Sequence, residues 1–280
     1  DKAYKARDLL KAVIINSAND ACVALAEHIA GSEEAFVSRM NAAARQMGLK
    51  GSKFCNATGL DAEGQVSTAR DMAEVSRELV KYPLFFKWST VWMDDFVHAG
   101  GRTTQMVNSN RLVRSCEGCD GIKTGSSAKA GYCLTATAKR GGSRFIYVCL
   151  NAKTSESRFE GAKKAFDIAF SNYVSKNIVK KDALVKENVP VEKGDRRHVD
   201  AYAAEDLHVL VPKGQEQAIR KEIIMNEPLL APLEAGQIIG RLTVTLDGAE
   251  LGSTHIVCKQ PVCELEYLTA LRKLLFWWLH

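Results

Sequence analysis

Four groupings in this 280-residue sequence have residue types and spacings that could do chemistry. Ser17-Ala18-Asn19 sets a hydroxyl and a carboxamide at a break between two helical patterns. Lys123-Thr124-Gly125 sets an ammonium and a hydroxyl on a strand-like stretch, beside a residue with no Cβ. Ser126-Ser127-Ala128-Lys129 is the only literal S-x-x-K, the spacing of a serine nucleophile and a lysine base. An activated serine needs its base held within hydrogen-bond reach by a rigid element. A loop after a strand does not supply that, so this S-x-x-K reads as a decoy. Cys116-x-x-Cys119 is the only close thiol pair. A zinc site would need four ligands, and no second C-x-x-C or spaced His pair follows. The pair therefore reads as a disulfide or two free thiols. The six histidines show no HExxH or paired spacing, so no metal and no cofactor is expected.

Each of these also has an ordinary explanation. Ser17 and Asn19 could cap a helix, worth about 1 kcal/mol. Lys123 and Thr124 could belong to an exposed strand edge, where lysine is common. Arg158 could start a helix on its solvent side. Trp88 and Trp92 read as core rather than as a carbohydrate platform.

The elements that must position these residues follow from hydrophobic periodicity. A helix is expected over 8–16, with Leu9, Leu10, Val13 and Ile14 on one face. A second starts at 17–20 and stops at Gly31; a third runs from 32–34 to Met47. Residues 50–64 read as loop, and Ser67-Thr68 caps a helix from Ala69 to about Lys81. Strands are expected only from Asp120 onward: a short one at 121–125, then 132–139 and 144–150 joined by Gly141-Gly142, a strong hairpin signal. Helix returns over 155–174. Residues 176–181 read as a solvated linker. Short β-like segments follow at 185–191, 207–211, 222–224, 238–246 and 254–258. They suggest a small all-β, sandwich-like domain. A last helix is expected over 264–279, broad in its apolar face and ending in Trp277, Trp278 and Leu279. That pattern suits a helix lying on a membrane surface; packing on the β domain is the plainer alternative.

Taken together and in this order, the S-x-N and K-T-G tripeptides resemble those of the penicillin-binding-protein and serine β-lactamase superfamily. The surrounding wording resembles the low-molecular-weight D-alanyl-D-alanine carboxypeptidases, the peptidase S11 group. The likeness rests on 9–12, 17–21, 36–44, 56–60, 67–73, 120–125 and 130–134. It is close over about 1–175 and loose beyond. The resemblance implies an α+β fold: a β-lactamase/transpeptidase-like domain over 1–175, missing its front, then a β-rich domain over 176–262 and an amphipathic membrane-associating helix over 263–280. It implies an extracytoplasmic bacterial serine hydrolase at the outer face of the cytoplasmic membrane. Its partners would be peptidoglycan stem peptides and β-lactams. Ser17 would relay a proton to the leaving D-alanine nitrogen, and Asn19 would position the active-site lysine and hydrogen-bond the peptide. Lys123 and Thr124 would meet the terminal carboxylate, and Gly125 would let substrate lie against the strand. The Ser126 N–H would form half of the oxyanion hole, and Arg158 would stand near the carboxylate. The family's S-x-x-K precedes S-x-N, and none does so here. The expectation is that the chain lacks its front and alone turns nothing over. A non-catalytic wall-binding or scaffolding homologue is the other reading. A β-lactamase or glutaminase of the same fold is disfavoured by the added β domain and apolar tail.

Composition sets the outer bounds. Hydrophobic residues make up 46% and charged residues 25%, ordinary for a folded chain able to bury a core. Lys+Arg 38 against Asp+Glu 33 gives +5, too mild and scattered for a nucleic-acid binder but suited to an anionic wall or membrane. Eight cysteines, mostly in apolar runs, read as buried thiols and leave the compartment open. No signal peptide opens the sequence, and no stretch reaches the ~20 apolar residues of a spanning helix.

Overall fold

A computed structural model describes residues 3–266. The chain divides into two units, Asp1–Ser171 and Asn172–His280. The first is α+β. It opens with α1 (Ala6–Asn16), α2 (Asn19–Ala30) and α3 (Glu33–Gln46). A long loop leads to α4 (Ala69–Leu79) and α5 (Pro83–Ser89). Side-chain caps start two of these helices: Ser32 accepts from the Ala35 N–H, and Thr68 from the Asp71 N–H. Pro83 occupies the first turn of α5, where no N–H is needed.

Next comes a hairpin that the sequence reading missed, β1 (Met93–Val97) with β2 (Thr103–Val107). It packs on α1, where Ala12, Ile15, Ala21 and Met106 are buried together with Phe96 against them. A Lys11–Asp94 ion pair ties β1 to α1. The short α6 (Leu112–Ser115) follows.

An antiparallel sheet of β3 (Cys119–Ser127), β4 (Gly131–Arg140) and β5 (Ser143–Ala152) completes the unit with α7 (Ser155–Asn172). Gly141 and Gly142 have φ of 52° and 86°, the left-handed pair a two-residue hairpin turn demands. Phe159, Ala162 and Phe166 of α7 bury against Leu134, Ala136 and Ala138 of β4. β4 is central, leaving β3 and β5 as the sheet's edges among the described residues.

The second unit is all β among the described residues. It comprises β6 (Tyr173–Val179), β7 (Leu184–Glu192), β8 (His198–Ala203), β9 (Leu207–Pro212), β10 (Arg220–Met225), β11 (Leu229–Leu230), β12 (Ile238–Leu246) and β13 (Ala249–Cys258). Six strands form one sheet in the order β10-β12-β13-β8-β7-β11, and β6 pairs with β9 in a second. Inward residues of both, such as Val209, Val211, Val189, Ile239 and Ile256, share one core. This is the sandwich-like packing expected.

Several expectations need correction. The strand carrying Lys123 is nine residues long and takes in Ser126 and Ser127, read beforehand as loop. Residues 176–179 of the supposed linker are part of β6, paired with β9. β8 went unread. The helix over 155–174 ends at Asn172, where β6 begins. Residues 264–266, assigned to the last helix, are not helical, and Glu264 bridges Gly194. The remainder of the expected helix, 267–279, lies outside the described residues. Among the described residues no helix is long and apolar enough to cross a membrane.

Candidate active site

Ser17 closes α1 and caps nothing. It sits at φ 58°, ψ 37°; its backbone N–H donates to the Val13 carbonyl at 3.1 Å, and the Ala18 N–H donates to the Ala12 carbonyl at 3.2 Å. A serine in this left-handed region costs roughly 1–2 kcal/mol, which glycine would avoid. Ala18 precedes α2 without a side-chain cap, and Asn19 is the first helical residue. The helix-cap explanation of Ser17 and Asn19 therefore fails, and both side chains are exposed. The neighbouring Asn16, Ala18 and Asp20 line a cavity of about 410 Å3 together with Phe96 and Met106 of the hairpin.

One turn along α2 from Asn19 lies Cys22. Its thiol and the Lys123 ammonium are close enough to alter each other's proton affinity. Cys22 of α2 thus lies near Lys123 in the middle of β3. Burial pulls Lys123 down to about 8; the Cys22 thiol opposes this and the Arg158 charge adds to it. Lys123 Nζ donates to the Thr124 carbonyl at 3.0 Å. Burial also pushes the Cys22 thiol above its ordinary range, with Lys123 opposing.

Thr124 meets a residue absent from the sequence-based set. Its hydroxyl lies 2.6 Å from the Ser109 hydroxyl. Ser109 follows β2, in a stretch where no spacing suggested a site. Only its flanking asparagines, typical of turns, were a signal.

Gly125 and Ser126 are exposed on the edge strand β3. A Cβ added at Gly125 would meet no protein atom within 4 Å, and its φ does not demand glycine. Neither packing nor backbone therefore explains that glycine. Ser127 donates to Asp61 at 2.8 Å and tethers the 56–65 loop to the end of β3. Lys129 stands in the turn after β3, while Ser126 is within the strand. They share no rigid element, which agrees with the decoy reading.

Arg158 is not on a solvent face; it is 8% exposed. Its Nη1 donates to the carbonyls of Gly125 at 2.9 Å and Cys133 at 3.0 Å, pinning β3 and β4 to α7. Its Nη2 donates to Ser155 Oγ at 3.3 Å. The guanidinium also lies over the rings of Phe159 and Tyr132. Arg158 thus sits beneath the strand rather than in the open groove.

All eight cysteines, Cys116 and Cys119 included, are free thiols. Burial pushes Cys119 up to about 12, so it is an inert core group. Among the described residues no cluster of three His, Cys, Asp or Glu could hold a metal ion.

Known proteins resemble this chain over most of its length. The family described as D-alanyl-D-alanine carboxypeptidase matches residues 1–154, and the penicillin-binding protein 5 C-terminal domain matches 173–264. The D-alanyl-D-alanine carboxypeptidase DacF of Bacillus subtilis is 37% identical over 273 residues, covering 97% of this chain and 70% of its own length. DacC of Escherichia coli is 37% identical over 264 residues, covering 92% of this chain. This chain spans 64% of DacC. Penicillin-binding protein 5 from Haemophilus influenzae superposes with a TM-score of 0.81 at 33% identity, over 92% of this chain and 74% of that one.

Proposed function

Because this chain belongs to the D-alanyl-D-alanine carboxypeptidase family of penicillin-binding proteins, we propose that the groove along β3 binds the D-Ala-D-Ala end of a peptidoglycan stem peptide, from which the terminal D-alanine is hydrolysed. The observation that carries this reading is a partly buried lysine, Lys123, beside Thr124 and an exposed Gly125 on an open strand edge near Cys22 of α2. An extended peptide can lie along such an edge and bond its main chain. The terminal carboxylate meets the Lys123 ammonium and the Thr124 hydroxyl, a charge-assisted contact made stronger by partial burial. Gly125 leaves the strand surface clear for the peptide. The Ser126 N–H supplies one donor to the oxyanion of the tetrahedral intermediate. Ser17, held in a strained turn, hands a proton toward the leaving amine, and Asn19 orients the peptide and the catalytic lysine. Arg158 acts as a positioning residue, fixing the strand from below and adding positive potential.

In this reading the attacking serine belongs to an S-x-x-K pair that is not among these 280 residues. β-Lactams mimic the acyl-D-Ala-D-Ala end and acylate that serine. The protein works outside the cytoplasmic membrane, and the Leu- and Trp-rich sequence over 264–279 is its contact with that surface. The first limit, expected at 175/176, moves to 171/172 because β6 belongs whole to the second unit; the limits we propose are therefore 1–171, 172–262 and 263–280.

The test is uptake of labelled penicillin by the protein carrying this chain together with its S-x-x-K pair. Covalent labelling that D-Ala-D-Ala peptide slows is the expected result. A folded protein that takes up no label would instead favour a non-catalytic wall-binding homologue.

A further inference from the structure

The segment 108–110 is built more rigidly than a connecting loop requires. Asn108 is 5% exposed and Asn110 is 1% exposed, so both flanks of Ser109 are buried. Asn108 Nδ2 donates to the carbonyls of Ser89 at 2.9 Å and Val91 at 3.0 Å. Its Oδ1 accepts from the Asn110 N–H at 2.9 Å, and Asn110 Oδ1 accepts from the Leu112 N–H at 3.2 Å. The Asn108 N–H donates to the Trp92 carbonyl at 2.8 Å. The same region is tied to β3, because Ser89 Oγ donates to the Asp120 carbonyl. Leu112, at the base, is fully buried. Five hydrogen bonds therefore fix the backbone on either side of one exposed hydroxyl, and that hydroxyl stands 2.6 Å from Thr124 Oγ1.

Two hydroxyls at this distance share one hydrogen. Either can donate while the groove is free of anion. An incoming carboxylate changes this, since it can only accept. Thr124 then turns its own proton to the carboxylate, and its oxygen accepts from Ser109. A chain of two hydrogen bonds that point the same way strengthens both. Without Ser109 the Thr124 hydroxyl is free to rotate, and its orientation must be fixed on binding at an entropic cost.

We propose that Ser109 is a positioning residue for recognition of the substrate's free carboxylate, acting through Thr124 as the second hydroxyl of a relay. The inference rests on the proposed carboxypeptidase reading. It separates substrates with a free C-terminal carboxylate from those whose C-terminus is an amide. The contact belongs to both ground and transition states, so its loss appears in KM and leaves kcat nearly unchanged.

The experiment compares Ser109→Ala and Ser109→Thr in the protein that carries this chain with its S-x-x-K pair. Hydrolysis is measured on a D-Ala-D-Ala peptide and on its C-terminal amide. Ser109→Ala should raise KM for the carboxylate about 2- to 12-fold, the range of one lost hydrogen bond between neutral groups. It should leave kcat within about twofold. Preference for carboxylate over amide should fall by a similar factor, and Ser109→Thr should restore most of it. Unchanged KM and preference in Ser109→Ala would overturn the role of Ser109 while leaving the carboxypeptidase reading intact. Equal losses on carboxylate and amide would also overturn it, by showing general damage to the site. Failure of the unsubstituted protein to take up labelled penicillin or cleave the peptide would overturn both.

Discussion

The most consequential single group is Lys123. Burial lowers it to about 8 from an ordinary 10.5. The site's only charged contact for a carboxylate on β3 is therefore present at neutral pH and fades just above it. Carboxylate affinity should fall as pH rises through about 8, and the alkaline limb of kcat/KM should report it. Lys123→Arg keeps its charge and should move that limb upward by more than one pH unit. The same shift affects folding. Between about 8 and 10.5 the unfolded chain holds the lysine proton and the folded chain does not, so stability should increase with pH across that window. Below it both states are charged, and the burial penalty is felt in full. Lys123→Met should remove the increase and raise the unfolding midpoint at pH 7. Chemical denaturation at pH 7 and 10 checks both statements; an equal pH dependence in the two proteins would refute them. Ser17 makes a second point at this scale. Its left-handed backbone suits glycine, yet a hydroxyl is kept there, which fits a side chain retained for chemistry.

At the level of elements, the site is an edge strand held from two sides: α7 pins it through Arg158, and the 108–110 segment braces Thr124. Arg158→Met would leave the carbonyls of Gly125 and Cys133 without their charged donor. The expected cost is about 2–3 kcal/mol of stability, with faster amide exchange in β3 and β4. Arg158→Lys can satisfy one carbonyl and should recover part of the loss. An unchanged melting temperature in Arg158→Met would show that the pin holds nothing. The elements also differ in how legible they were. Gly141-Gly142 between two apolar alternating runs announced its hairpin. Gly100-Gly101 carried the same turn signal for β1 and β2, but Asp94, Asp95, Thr103, Thr104 and Gln105 obscured the period. Half-buried Phe96 and buried Met106 are its apolar anchors on α1, beside the Lys11–Asp94 ion pair. β6 was hidden because Lys176 and Asn177 occupy exposed positions, and polar residues there resemble a linker.

For the whole molecule, the two units have separate cores, and the second closes its own from both of its sheets. Residues 172–266 should therefore fold when expressed alone, with a single cooperative unfolding transition and a strand-type circular dichroism spectrum. Calorimetry of the full chain should resolve a transition at the same midpoint. A fragment that stays unfolded would show that its strands depend on the first unit. The net charge of +5 is mild at this scale and suits an anionic wall without predicting a specific partner.

Local sequence was sufficient for α1–α4 and α7 of the first unit, the Gly-Gly hairpin, the β-rich second half and the two tripeptides with their family likeness, but not for the short α5 and α6. These depend on periodicity, capping and turn chemistry, which act over a few residues. Tertiary structure alone decided that Cys22 lies near Lys123, that Arg158 is buried under β3, and that Ser109 reaches Thr124. Such contacts join residues 15 to more than 100 positions apart, and nothing within either segment encodes its partner. They exist because burying apolar faces of α1, α7 and β4 fixes where each chain segment must lie, and the polar side chains at their borders are carried into one groove.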